Sequence, residues 1–528
     1  MATSLSVDAL VVQDLGQQKL SARYLVPALQ RAGWRASLVD LNDGIAAIVA
    51  LAQRTTPRLV ASSILFADRV NEHLALMTAL RSVLPHAHLT IAGHLPAFAH
   101  ADLLDACPAL DSVMRGEEEE IARIISTVPL QTRDTKPHAI PHAAQIIPLD
   151  DLPFPARDDG IASYQGYGFA TVEASRGCYH ACSFCLPSAF HHSRGAPYRL
   201  RSISNLVDEI ESLYLRGARL FLFDDEQFLP PSPQRAERIA SFADELERRD
   251  LRIAFTIKCR ADDVDAKLFR RLQVLGLVRV YVGIESGSQA TLDLYNKRVT
   301  AGQNIEALET LSDLGLVADF RAVMFHPWST FEAIEAEIEF LDRVSPWMST
   351  AFDFRELEIY PGTPLARRMK MSLRAPEGRS NLQPTDGDSF VAILRLRDKR
   401  HRSAQDAPRN DTSTTWSLDY TIADPRAELL RQCSRLVFDP AGMYGDAHRS
   451  LTTAWFAQLL AQRFQPSASD AERARELKSV AAKMNSASLA VWREMLAFAR
   501  DADIHHTNRV NEKASEWTER LNQETRFV

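Results

Sequence analysis

Three of the six cysteines in this 528-residue chain crowd into one short stretch, Glu173-Ala-Ser-Arg-Gly-Cys178-Tyr-His-Ala-Cys182-Ser-Phe-Cys185. Intervals of three and two residues let a single loop wrap three thiolates around one metal centre. Thiolates are the usual ligands of iron–sulfur clusters, which commonly take four. A set of three leaves one iron open to a substrate or cofactor. A tetrahedral structural zinc is the other reading, with His180 or His192 as the fourth ligand. Two more stretches carry polar side chains at the end of apolar runs. In Leu222-Phe-Asp-Asp-Glu226-Gln-Phe228 three carboxylates follow a predicted strand. In Val280-Tyr-Val-Gly283-Ile-Glu285-Ser286-Gly287-Ser288 a carboxylate and a hydroxyl stand between glycines, which permit close backbone approach. The acidic run Glu117–Glu120 reads as a solvated helix start rather than a metal site.

These side chains need elements to hold them. The first ~130 residues alternate short apolar runs with amphipathic stretches, the pattern of a parallel α/β unit. Strands are predicted at Ala9–Val12, Leu59–Phe66, Leu89–Gly93 and Ser112–Met114, and helices at Leu20–Ala32, Glu72–Val83 and Asp102–Cys107. From Pro137 to Pro155 recurring prolines disfavour helices and central strands, so an interdomain linker is expected. Strand patterns resume at Ala170–Ala174, Leu220–Phe223, Ile253–Lys258, Val278–Ile284, Ala318–Phe325 and Phe352–Tyr360, with helical patterns between them. That succession suggests a partial (β/α)6 barrel, which keeps its chemistry at the strand ends. Arg374 to Thr415 is polar and charged and is expected to be a flexible excursion. Beyond it Pro425–Phe438, His448–Phe464 and Asp470–Arg500 are helical. The expected class is therefore α/β. A Rossmann-like domain over 1–136, a linker over 137–164 and the barrel over 165–373 precede a flexible segment over 374–415 and a helical C-terminal domain over 416–528.

A formal net charge of −7 offers no global basic field for nucleic acid or an anionic membrane. No apolar run approaches the ~18–20 residues that span a bilayer. Met1–Leu10 lacks the basic start and apolar stretch of a secretory signal. A cytoplasmic location is expected, and in that reducing compartment clustered cysteines mean metal or catalysis more often than crosslinks.

The Cys-x3-Cys-x2-Cys motif after the first barrel strand, with Phe184 just before the last cysteine, resembles the radical S-adenosylmethionine enzymes. The resemblance implies a [4Fe-4S] cluster on Cys178, Cys182 and Cys185, with the open iron chelating S-adenosylmethionine. One-electron cleavage would then yield a 5′-deoxyadenosyl radical. By the same resemblance Phe184 lies against the adenine. One of Asp224, Asp225 and Glu226 helps hold the amino group of S-adenosylmethionine, and the sequence does not choose among them. The stretch Val280–Ser288 is similar to the Gly-Ile-Glu-Ser-Gly segment of several subfamilies, where Glu285 or Ser286 meets the ribose hydroxyls. Arg260 either meets the methionine carboxylate or is an ordinary surface arginine. Tyr360-Pro-Gly-Thr-Pro-Leu365 matches a late strand-end turn and is read as structural.

The elements before the linker, ending Ala92-Gly93-His94…Met114-Arg-Gly116-Glu117-Glu, resemble the cobalamin-binding domain of one large radical S-adenosylmethionine subfamily. The junction Leu149-Asp-Asp-Leu-Pro153-Phe-Pro155-Ala-Arg157-Asp resembles that subfamily's junction. The resemblance implies a corrin and its nucleotide tail at strand ends lined by Ser62, Ser63, Gly93 and His94. The Asp-x-His-x-x-Gly signature that supplies a histidine to cobalt is absent. The chain reads Gln13-Asp14-Leu15-Gly16 instead, and many radical enzymes of this subfamily also lack the signature, holding cobalamin without a protein histidine. The implied reaction is cobalamin-dependent methylation of an unactivated carbon in a small-molecule, natural-product intermediate, with a flavodoxin- or ferredoxin-type electron donor. The helical tail is expected to close the barrel mouth, with Trp416, Tyr420, Tyr444 and Trp455 as contacts or as core. Three other readings stay open. One is a non-methylating cyclisation or ring rearrangement. Another is methylthiolation of RNA or protein, against which the N-terminal domain offers Cys107 alone. The last is a zinc-stabilised binding module without catalysis.

Overall fold

A computed structural model describes residues 7–15, 19–66, 69–127, 137–143, 146–372, 420–438, 442–501 and 507–525. The expected flexible segment 374–415 and Trp416 lie outside these residues. The described residues form two compact units. One draws on Met1–Ile161, Thr171–Glu209 and Glu358–Asp419, the other on Ala162–Ala170, Ile210–Leu357 and Tyr420–Val528.

The first unit is built on a parallel sheet. Its strands are β1 (Ala9–Gln13), β2 (Ala36–Asp40), β3 (Leu59–Ser63), β4 (His88–Ala92), β5 (Ser112–Met114) and β6 (His138–Ile140), in the order β2-β1-β3-β4-β5-β6. Every residue of β1, β3 and β4 is buried, which is why they read as mainly apolar and small-residue runs. Side chains alternate between two helical layers. Leu10, Val12, Val60, Leu89 and Ile91 pack toward the helices Ile45–Thr55, Val70–Val83 and His94–Ala106. Ala9, Val11, Leu59 and Ala61 pack toward Ser21–Arg31 and Glu120–Thr127. Sequence patterning misses β2, a half-exposed edge strand. It also starts the helix after β4 at Asp102, whereas that helix begins at His94. The proline-spotted stretch supplies β6, paired with β5 at the other edge of the sheet, where flanking prolines are tolerated.

The chain enters the second unit for the antiparallel hairpin β7 (Ala162–Tyr164) and β8 (Tyr167–Val172). It returns to the first for β9 (Ser175–Gly177) and β10 (Tyr198–Leu200), an antiparallel ribbon that brackets the helix Leu186–Ser193. The second unit continues with β11 (Ala218–Phe223), β12 (Ala254–Arg260), β13 (Leu277–Gly283), β14 (Val317–Asp319), β15 (Arg321–Phe325) and β16 (Asp353–Glu356). Its main sheet runs β14-β13-β12-β11-β8-β7, and β15 pairs in parallel with β16. The strand expected at Ala318–Phe325 breaks at Phe320, and a bridge from Glu285 to Ala322 links the two sheets.

Four C-terminal helices, Pro425–Val437, Met443–Phe464, Asp470–Asp501 and Thr507–Thr525, complete the second unit. Fully buried Trp492 stacks on Phe438 at 5.5 Å and meets Phe354 at 5.5 Å. Asn485 donates to Thr350 O at 3.1 Å and accepts from Phe352 N at 2.9 Å, pinning the approach to β16. Tyr444 and Trp455 are buried; the Tyr444 hydroxyl donates to Phe352 O at 3.0 Å, and that of Tyr420 to Phe325 O at 3.1 Å. These aromatics serve as core and as fasteners to the strands. Among the described residues no helix is long and apolar enough to cross a membrane.

Candidate functional site

The cysteine loop belongs to the first unit. Its base is closed by the ribbon β9–β10, where Gly177 pairs with Tyr198 and Arg176 with Arg199. Gly177 has φ +83°, and a Cβ there would lie 2.3 Å from Pro197 O, so only glycine fits. Cys178, Cys182 and Cys185 are all half-buried and none is in a disulfide. Cys185 N donates to Cys182 O at 3.2 Å. The Cys185 sulfur caps the helix Leu186–Ser193, accepting from Ser188 N at 3.5 Å. A helix N-terminus favours the thiolate, the form that binds metal. Leu186, next in sequence, is buried in the same core as Leu95 and Leu103. Leu365 N donates to Ser183 O at 2.8 Å, so the Tyr360–Leu365 turn holds the loop between two of its cysteines. Phe184 is half-buried in this loop. His192, one of the two candidates for a zinc ligand, is exposed, with Nδ1 2.9 Å from Ser188 O of its own helix. Three soft, accessible thiols on one rigid loop fit an iron–sulfur cluster.

The acidic run is the main correction to the sequence reading. Glu117, Glu118, Glu119 and Glu120 are all buried, at 3%, 6%, 2% and 0% exposure. Three of them face arginines at the base of the cysteine loop. Arg199 pairs with Glu117, Arg176 with Glu119 and Arg194 with Glu120. Arg176 and Arg194 also approach Glu117 at 3.5 and 3.6 Å. Burial would raise the Glu117 carboxyl, but Arg176, Arg199 and Arg194 hold it down to about 2. Burial lifts Glu119, against the pull of Arg176. His94 and His191 sit beside this network. The His94 ring lies 4.6 Å from Phe190, 5.5 Å from His191 and 6.4 Å from Phe66. Burial, and then His94, push His191 well down.

The strand order reverses between β1 and β3, the crevice where open α/β sheets bind ligands. Gln13 closes β1 and Ser63 closes β3. Gln13 Nε2 donates to Ser21 Oγ at 2.6 Å and to Ser63 Oγ at 3.3 Å, and its Oε1 accepts from Ala22 N at 3.2 Å. Ser63 Oγ donates to Glu118 Oε1 at 2.6 Å. Burial lifts the Glu118 carboxyl to about 7. Ser62 faces away from this group and shares a 2.6 Å hydrogen bond with His73 Nδ1. Gly93, with φ +123°, makes room for Ile64 O, which would lie 2.0 Å from a Cβ. Of the four residues predicted at the strand ends, Ser63 joins the polar group at the switch point. Ser62 and Gly93 are committed to internal packing, and His94 to the aromatic cluster. Gln13, Ser21 and Glu118 are additions. Small polar side chains without a histidine fit a corrin held by its amides and nucleotide tail.

The remaining predicted residues belong to the second unit. Asp225 is fully buried, Glu226 is half-buried, and Asp224 accepts from Lys258 Nζ at 2.8 Å. Glu285 has φ +63°, a costly conformation for a non-glycine residue that is found at functional turns. Its Oε1 accepts from Lys297 Nζ at 2.9 Å. Arg260 is buried rather than a surface arginine. It donates to Lys297 O at 2.5 Å and to Asp262 at 2.8 Å. Ser286 is buried, with its hydroxyl donating to Glu337 Oε2 at 2.5 Å, and Gly287 N donates to the same oxygen at 2.7 Å. Burial lifts the Glu337 carboxyl to about 7. Thus Arg260, Ser286, Lys297 and Glu337 form a scaffold around Glu285. Lys297 and Glu337 lie 12 and 51 positions beyond their partners, with no local pattern to mark them.

Two domain families match the chain: the radical SAM superfamily over residues 172–341 and the B12 binding domain over residues 14–126. The anaerobic magnesium-protoporphyrin IX monomethyl ester cyclase of Rubrivivax gelatinosus is 28% identical over 48% of this chain and 49% of its own length. The hopanoid C-3 methylase of Methylococcus capsulatus is 27% identical over 60% of this chain and 63% of its own length. The chain thus spans about half to just under two thirds of these relatives. Among solved structures, the cobalamin-dependent S-adenosylmethionine radical enzyme OxsB, with aqua-cobalamin and S-adenosylmethionine bound, superposes with a TM-score of 0.65. That match covers 97% of this chain and 84% of OxsB at 16% identity, and it shows a shared fold.

Proposed function

The chain is a radical S-adenosylmethionine protein that carries a B12-binding domain, and from that premise we propose that it methylates an unactivated carbon of a small-molecule intermediate. Its cofactors are a [4Fe-4S] cluster, S-adenosylmethionine and cobalamin. Bound together, they supply one-electron cleavage of S-adenosylmethionine and a carrier for its methyl group. The observation that carries the reading is the presence, in one compact unit, of a three-thiol loop and a hydrogen-bonded polar group at the sheet's switch point. The relative named as a C-3 methylase lends support.

In this reading Cys178, Cys182 and Cys185 hold the cluster, and Phe184 lies against the adenine. Half-exposed Asp224 or Glu226 meets the ammonium of S-adenosylmethionine. Glu285, fixed by Lys297, accepts hydrogen bonds from the ribose. Ser286 and Arg260 position that glutamate rather than touch the ligand, because each is buried on an internal partner. Half-buried Ser21 meets the corrin side, and buried Gln13 and Ser63 position it from beneath. A flavodoxin- or ferredoxin-type protein supplies the electron.

The relative named as a cyclase favours a second reading, radical cyclisation without methyl transfer. Product ratios separate the two. Reconstituted protein, supplied with hydroxocobalamin, a reductant and methyl-labelled S-adenosylmethionine, forms S-adenosylhomocysteine in an amount set by the cobalamin bound if it transfers methyl groups. No S-adenosylhomocysteine from protein that binds and reduces cobalamin overturns methylation in favour of the second reading.

A further inference from the structure

The four glutamates 117–120 are consecutive, yet their side chains divide between two sites. Glu118 turns to the sheet, where its carboxylate takes the Ser63 hydroxyl at 2.6 Å. Through Ser63 it reaches Ser21 at 2.8 Å and Gln13 at 3.3 Å, which ties together the ends of β1 and β3 and the start of the helix Ser21–Arg31. Glu117, Glu119 and Glu120 turn to Arg199, Arg176 and Arg194, on the two flanks of the cysteine loop. The run is itself stiff. Glu120 N donates to Glu117 O and Ile121 N to Glu118 O, both at 3.0 Å. Ala143 N donates to Glu120 Oε2 at 2.6 Å, and Gly116 leaves room for that carboxylate, which would lie 2.3 Å from a Cβ.

We infer that Glu117–Glu120 is a positioning element shared by the corrin crevice and the cluster loop, so that filling one site tightens the other. The inference rests on the reading that both cofactors bind. Buried ionic contacts have discrete arrangements and transmit a shift rather than absorb it. Glu118 cannot move with Ser63 without moving the three neighbours that hold Arg176, Arg194 and Arg199. Two sites joined in this way must show a reciprocal coupling, typically about 5–150-fold in affinity. Glu118 is the residue through which the coupling passes; it positions Ser63 and takes no part in the chemistry.

The test is a spectroscopic titration with hydroxocobalamin, run anaerobically on full-length protein before and after cluster reconstitution. The dissociation constant should fall about fivefold or more once the cluster is present. Glu118→Gln, which keeps an acceptor for Ser63, should preserve that ratio. Glu118→Ala should bring it to one while iron content stays at the wild-type level. Ser63→Ala cuts the same link from the other side and should behave alike, so it decides the matter if Glu118→Ala does not fold. A wild-type ratio of one, or a ratio that survives Ser63→Ala, overturns the inference while leaving cobalamin binding intact. A wild type that binds no corrin overturns the functional reading as well, and is told apart by its flat titration.

Discussion

Arg176 donates to Glu119 across 57 positions of sequence, and the two side chains are only 10% and 1% exposed. Arg176 stands two residues ahead of Cys178, so the first predicted cluster ligand takes its place from a carboxylate at the end of the N-terminal sheet. Arg194, just past the helix that follows Cys185, does the same on Glu120. The loop is thus gripped by charge on both flanks, inside a region where charge is expensive to bury.

Such pairs are costly to break even where they add little net stability. Glu120→Ala would leave the Arg194 guanidinium, whose side chain is 2% exposed, without its main counter-charge. The expected loss is about 3–5 kcal/mol, read as a lower urea midpoint at unchanged slope. A midpoint within experimental error of wild type would show that the network relaxes freely.

Cys178→Ser, Cys182→Ser and Cys185→Ser should each lose the cluster absorption band and most of the bound iron after reconstitution. Cys107, Cys259 and Cys433 are buried and separate from the loop motif. Their serine variants should keep wild-type iron and sulfide content. Full iron content in any one of the first three would remove that thiol from the ligand set.

The cysteine motif is legible because its ligands are local: a loop of a few residues states its own chemistry. The sheet of the first unit is legible for a related reason, since strands such as Leu59–Ser63 are covered on both faces and carry apolar or small side chains along their length. Burial decided by distant partners is not legible. Four glutamates in a row read as solvated, and nothing near them in sequence announces Arg176, Arg194 or Arg199, 57 to 82 positions away. Ser286 likewise looks like a ligand contact until Glu337 is seen to take its hydroxyl. Edge strand β2 escapes because a half-exposed strand carries a mixed pattern.

Lys297 and Glu285 form a charged hydrogen bond at 2.9 Å beneath a strained turn. Glu285→Ala should weaken S-adenosylmethionine binding by about 10–100-fold, the range of one lost charge-assisted hydrogen bond, with cluster content unchanged. Lys297→Met should weaken it to a smaller extent, because Glu285 remains but loses its anchor. Equilibrium dialysis with labelled S-adenosylmethionine measures both. An unchanged dissociation constant in Glu285→Ala would take that residue out of the site.

Glu337 gives the chain a pH dependence with a definite sign. Burial lifts its carboxyl from the ordinary 4.5 to about 7. Below pH 4.5 the group is protonated in both the folded and unfolded states and contributes no slope. Between 4.5 and 7 the unfolded chain releases the proton while the folded chain keeps it, so the folded state loses stability as pH rises. At 1.36 kcal/mol per unit the accumulated penalty is about 3 kcal/mol, constant above pH 7. Glu337→Gln retains an acceptor for the Ser286 hydroxyl and the Gly287 amide without the titration. Urea unfolding of both proteins at pH 4.5 and pH 7.5 isolates the effect, because every other group cancels in the difference. The variant should gain on the wild type by about 3 kcal/mol over that interval, and parallel profiles would mean that Glu337 is ionised in the fold.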